Sequence, residues 1–127
     1  TDWSIPGLHN IKMFSPGEGY APIPVPYDFD WCGAIAAPYA VPAPSLEISS
    51  VKVRVFRGFC KSEEEFEKAF DKFRENKEAL YALYQDCPYL EEKFKSQVVK
   101  YLDEFYKVLD DPKKLKSEIY AKCRTNR

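Results

Sequence analysis

Three side chains near the start of the chain have the types and order of a metal-dependent phosphoryl-transfer site. They are Asp2, then Asn10 beside His9, then Asp28 in the run Pro26-Tyr27-Asp28-Phe29-Asp30. In such a site one carboxylate orients or deprotonates the attacking hydroxyl. An amide oxygen and a second carboxylate hold magnesium against the nucleotide phosphates. Hard oxygen donors suit magnesium, and a hairpin can bring sequence-distant acids together. Asp2 is the candidate for the first role, and Asn10 and Asp28 for the second. His9 and Asp30 are neighbours without an assigned role. The same residue types are common in turns, and an Asp-Phe-Asp after a Pro-rich strand can simply cap a loop. His9 is the single histidine, and no G-x-S-x-G or comparable nucleophile motif accompanies it. A structural or metal-neighbouring histidine is therefore favoured over Ser-His-Asp or Cys-His catalysis.

The elements that must position these residues are legible in the composition. The chain has 127 residues, 45% hydrophobic and 16% aromatic, enough for one globular domain with a real core. Residues 1–60 hold all five glycines and eight of the ten prolines, but only nine charged residues. Residues 61–127 hold two prolines, no glycine and thirty charged residues, fifteen of each sign. The first part is expected to be strands and loops, the second helices. Ile11-Lys12-Met13-Phe14 reads as a strand, Ser15-Pro16-Gly17-Glu18-Gly19 as a turn, and Ile23 to Asp28 as a returning strand. Pro22, Pro24 and Pro26 cannot donate to a ladder, so the return strand is expected at an edge or only partly paired. Residues 32–46 read as an extended loop packed by its alanines and tyrosine. Val51-Lys52-Val53-Arg54-Val55 alternates and predicts a further strand.

In the second part Ser62 with Glu65 forms a capping box, followed by one helix with Phe66, Ala69, Phe70, Phe73, Leu80, Leu83, Tyr84 and Cys87 facing inward and Pro88 ending it. A second helix carries Leu90, Phe94, Val98, Tyr101, Leu102, Phe105, Val108 and Leu109 on one stripe. Asp111-Pro112 reads as the cap and first residue of a third, with Leu115, Ile119 and Cys123 inward. The expected fold is α+β: an N-terminal β-hairpin and Pro/Ala-rich loop layer packed on a C-terminal bundle of about three helices.

The formal net charge of −1 gives no general pull toward nucleic acid or anionic membrane. Aromatics interleaved with lysines on the helices could suggest single-strand stacking, but their helical spacing makes them core. The basic end (Lys113, Lys114, Lys116, Lys122, Arg124, Arg127) complements a helix C-terminus. No run of eighteen apolar residues predicts a membrane span. The single methionine is Met13, so Thr1 is not expected to be a translation start. The four cysteines, Cys32, Cys60, Cys87 and Cys123, include no close pair of the zinc-site kind. Their even count permits disulfides, and buried free thiols are the alternative.

Residues 1–30, TDWSIPGLHNIKMF…PVPYDFD, resemble the catalytic loop and metal-binding segment of atypical kinases of the HipA type and the spore-coat type. Nearly the whole chain is similar to the C-terminal part of a family of exported proteins of Bacteroidetes-type bacteria. There a TDWS…HN segment precedes a VPYDFD…NAPYAVP-like stretch and a helical tail. The kinase resemblance implies a catalytic Asp2, magnesium ligands Asn10 and Asp28, and Mg2+ and ATP as cofactors. It implies a nucleotide and an unknown phosphoacceptor as partners in a full-length parent. No Gly-rich loop or phosphate-contacting lysine is recognisable here, so the isolated chain is expected to be inactive. The exported family implies a periplasmic or secreted location. It carries cysteines at about the places of Cys60 and Cys123, which makes these the expected disulfide. A third helix of about twelve residues spans only about 18 Å, so it would have to cross at an angle for that bond to close. The alternative function is a non-catalytic exported protein-interaction module, and self-association through surface left bare by missing sequence is a further expectation.

Overall fold

The computed structural model describes residues 8–125. The fold is α+β, with a two-stranded antiparallel hairpin and four α-helices, 45% helical and 9% strand. The chain divides into two compact units between Val53 and Arg54, ahead of the compositional change at Cys60.

The first unit is built on β1 (Ile11–Phe14) and β2 (Ile23–Pro26), paired with Ile11 opposite Pro26 and Phe14 opposite Ile23. The Tyr27 N–H donates to the Asn10 carbonyl at 2.9 Å, so the ladder continues one pair beyond β1. Antiparallel ladders alternate bonded and non-bonded pairs. With Asn10 and Tyr27 a bonded pair, Pro24 and Pro26 fall on non-bonded ones. Their missing N–H groups would have pointed away from β1, which is why all four pairs form despite the prolines. Gly19, at φ +83°, supplies the left-handed residue that the connecting turn needs.

Residues 51–55 do not form the expected strand. Ser50 accepts from the Lys52 N–H through its side chain at 3.2 Å and from the Val53 N–H through its carbonyl at 3.0 Å. Local serine bonds therefore outcompete the alternating pattern and turn the chain.

The second unit opens with the capping box. Ser62 Oγ accepts from the Glu65 N–H at 3.2 Å, and Glu65 Oε2 accepts from the Ser62 N–H at 3.1 Å. The helix it starts is not the single long one expected. It breaks at Asn76 into α1 (Glu63–Glu75) and α2 (Lys77–Gln85). The Asn76 side chain and backbone N–H both bond back to the Lys72 carbonyl, at 2.7 and 3.2 Å. The Phe73 carbonyl instead accepts from the Tyr106 hydroxyl at 2.8 Å. Past the break Leu80, Tyr84 and Cys87 of the predicted stripe are half-buried, but Leu83 is 65% exposed.

Helix α3 (Glu92–Leu109) supplies Tyr106 and Leu109, which meet Phe66 and Phe70 of α1 in the core. Arg74 Nη2 donates to the carbonyl of Leu109 at 3.2 Å, satisfying one of the carbonyls that a helix end leaves open. Its Nη1 bonds Asp71 at 2.8 Å and Glu67 at 3.1 Å. Asp111 then caps α4 (Pro112–Glu118), accepting from the Lys113 N–H at 2.9 Å, with Pro112 in the first turn. Leu115 completes the core.

Cys60 and Cys123 are disulfide-bonded, with their Cα atoms 4.8 Å apart. The bond closes without a twelve-residue third helix. Helix α4 has only seven residues, and a 3-10 turn at Tyr120–Lys122 hands the chain to extended backbone at Cys123. Phe59 and Arg124 form a parallel bridge alongside, with Cys60 N–H on the Arg124 carbonyl and Arg124 N–H on the Gly58 carbonyl, each at 2.9 Å. Cys32 and Cys87 are free thiols.

Replacing Tyr106 by Phe keeps the ring but removes the donor to Phe73. The expected loss of stability is about 1–3 kcal/mol, read as a lower denaturation midpoint; an unchanged midpoint would show that water serves that carbonyl equally well. Tyr81, Tyr106 and Tyr120 are all held above the usual tyrosine range, in each case chiefly by burial. Raised phenol pKa values mean that the unfolded chain releases protons first. Stability contributed by these groups is present below about pH 10 and falls as pH rises further. An alkaline titration by tyrosinate absorbance should find these three among the last of the nine tyrosines to ionise. Their ionisation together with the exposed ones, before unfolding, would refute this.

Candidate functional site

The open end of the hairpin gathers the sequence-predicted residues. Asn10 stands immediately before β1, and Asp28 comes one residue after Tyr27, its partner in the ladder. Eighteen residues apart in sequence, Asn10 and Asp28 are thus brought to neighbouring positions at one end of the ribbon. Both have left-handed backbone, at φ 52° and 59°, and Leu8 does likewise at 48°. Asn and Asp tolerate this region better than other non-glycine residues, because their short polar side chains bond locally. The residue types therefore suit the place where the strands diverge as well as the chemistry of a ligand set. His9 lies between Leu8 and Asn10 and is exposed. Asp2 lies outside the described residues.

Asp30 is the best-defined member of the cluster. Its Oδ2 accepts from the Tyr39 hydroxyl at 2.8 Å. That bond, a side-chain hydrogen bond with Asp28 and the Trp31 N–H together hold the Asp30 carboxyl below the usual carboxylate range. In return the Asp30 carboxylate, followed by partial desolvation and the charge of Asp28, pushes the Tyr39 phenol up. The pair is open to solvent, so its electrostatics are strongly screened.

Tyr39 was missed by sequence reasoning, which placed it as packing in the Ala-rich loop. It is 64% exposed and acts through its hydroxyl. The loop is nevertheless folded on itself: Ala36 N–H bonds the Cys32 carbonyl at 2.7 Å and Ala40 N–H the Ala37 carbonyl at 2.9 Å. These turns bring Tyr39 back over Asp30, and the Tyr-to-Asp spacing alone carried no signal of that.

The donor set of Asn10, Asp28 and Asp30 is all oxygen, the chemistry that magnesium takes. Among the described residues no three His, Cys, Asp or Glu side chains lie close enough together to hold a metal ion by themselves. Among them, too, no helix is long and apolar enough to cross a membrane. No family model, curated protein or solved structure matches the chain.

Substituting Tyr39 by Phe removes the main support of the ionised Asp30. Its pKa is expected to move up, back toward the ordinary carboxylate range, in an NMR titration of the side-chain carboxyl carbon. No movement would assign the depression to Asp28 and Trp31 instead.

Proposed function

We propose that residues 1–53 carry part of a metal-dependent phosphoryl-transfer site of atypical-kinase type, inactive without further sequence that supplies the nucleotide-binding half. The observation that carries this reading is the bond from the Tyr27 N–H to the Asn10 carbonyl at 2.9 Å, which brings Asn10 and Asp28 to the same end of the hairpin. Asn10 would offer its amide oxygen and Asp28 its carboxylate to Mg2+. Bound there, the ion would neutralise charge on ATP phosphates. Asp30 would add negative charge beside Asp28, and Tyr39 would keep that charge ionised and oriented. Asp2 is proposed as the group that orients the attacking hydroxyl of an unknown phosphoacceptor. The resemblance of TDWS…HN…VPYDFD to HipA-type and spore-coat-type kinases supports the same roles, and the similarity to an exported Bacteroidetes-type family suits the disulfide-bonded tail. A periplasmic or secreted location fits that disulfide, since such bonds persist in oxidising compartments.

A second reading is a non-catalytic interaction module. The left-handed φ at Asn10 and Asp28 favours it, because it gives both residues a turn-making role.

Manganese, a paramagnetic stand-in for magnesium, distinguishes the two. The kinase reading expects Mn2+ to broaden the NMR signals of Asn10, Asp28 and Asp30, and expects Asp28→Asn to weaken binding at least about tenfold, the loss of one charged oxygen ligand. Equal binding by the wild-type chain and Asp28→Asn would remove Asp28 from any metal site and leave the interaction module.

A further inference from the structure

We propose that the Cys60–Cys123 disulfide is a redox latch on the C-terminal strap, residues 119–125, and that its reduction opens the strap while the α1–α3 hairpin stays folded. The strap is held by packing, by hydrogen bonds and by a covalent bond. Tyr120 sets its ring edge-on against Phe66 and Phe70, with centroids 5.2 and 6.4 Å away. Arg124 makes the two backbone bonds of the parallel bridge and donates from its guanidinium to the Arg57 carbonyl. The disulfide joins the two segments covalently.

The hydrogen-bonded part of this grip is exposed: Phe59, Cys60 and Arg124 all face solvent. A single exposed bridge gives little net stabilisation in water, because water competes for the same groups and ordering a chain end costs entropy. Beside the apolar contacts of Ile119 and Tyr120, the covalent bond is then the main hold on the end of the strap, residues 123–125. Strap residues Ile119, Tyr120 and Cys123 do pack against the core, and the Tyr120 hydroxyl donates to Glu67 at 3.4 Å. The helices also have ties of their own, Tyr106 to Phe73 at 2.8 Å, Arg74 to Leu109 at 3.2 Å and Tyr81 to Asp103 at 2.7 Å, none of which involves the strap.

Exposure of Cys60 also fixes the chemistry. A dithiol reductant would attack through one thiolate at Cys60 Sγ, forming a mixed disulfide and releasing Cys123 as a thiol. Its second thiol would then displace Cys60. The outcome is two cysteine thiols, one disulfide on the reductant and two electrons transferred. Opening uncovers the edges of Phe66 and Phe70, buried in the latched state.

The full chain, with Cys32 and Cys87 alkylated first, should be titrated with dithiothreitol under native conditions and followed by intact mass and hydrogen exchange. The bond is expected to be reduced while the helical circular dichroism persists. Exchange should then rise at least about tenfold in residues 58–60 and 119–125 and stay unchanged in 98–109. The double variant Cys60→Ser/Cys123→Ser should show the same pattern without reductant. Unchanged exchange in the strap would overturn the proposal, because non-covalent contacts would then suffice. Equal increases in α1 and α3, or reduction only on unfolding, would overturn it as well and make the bond a staple of the whole unit.

Discussion

The helical unit depends on one junction, where the Tyr106 hydroxyl reaches the Phe73 carbonyl at the end of α1. Stopping a helix leaves its last carbonyls open, and burying an open carbonyl is costly. Tyr106 is 2% exposed, so its hydroxyl also needs an acceptor inside. The two groups satisfy each other. The chain can therefore bend at Asn76 within a packed interface, and Lys77, placed by that bend, lies 4.7 Å from the Tyr106 ring centroid. Arg74 completes the arrangement from the opposite direction by serving the end of α3 while paired to acids of its own helix. Both helix ends are thus capped by side chains of the other helix. The interface is held in register by polar groups and filled by aromatic ones, such as Phe73 against Phe105 at 5.1 Å.

The features legible in the sequence were those set by local chemistry. Ser62 with Glu65, Asp111 with Pro112 and the strands around the Pro-Gly turn all formed where residue type dictates backbone geometry. Asn76 was not legible as a break, because an asparagine in a periodic run carries only a weak penalty. What ends the helix there is a hydroxyl thirty residues later in the chain. The region around Val51 failed for the opposite reason: its alternation was a long-range signal overridden by two serine-centred bonds. The pairing of Cys60 with Cys123 followed a resemblance. The route that closes it, a shortened helix, a 3-10 turn and an extended end, had no periodic signature to read.

The candidate site divides along the same line. Asn10 and Asp28 could be picked out because their residue types are scarce in a strand-rich segment and recur at a hairpin's spacing. Asp30 and Tyr39 could not be paired from sequence. Their contact depends on successive tight turns through residues 29–40, each fixed by a backbone bond that many sequences could make. A ligand set of this kind is assembled by a loop, and loops are where sequence pattern says least about geometry.

The placement of Pro24 and Pro26 has a consequence for the behaviour of this chain in concentrated solution. Sheets grow side by side when each edge offers both donors and acceptors. Along the outer margin of β2 the prolines leave carbonyls without the matching amides, so that margin is a poorer template for another strand than one offering both groups. Continuous stacking into a fibre needs two growing edges, and this hairpin has weakened one of them by its own composition.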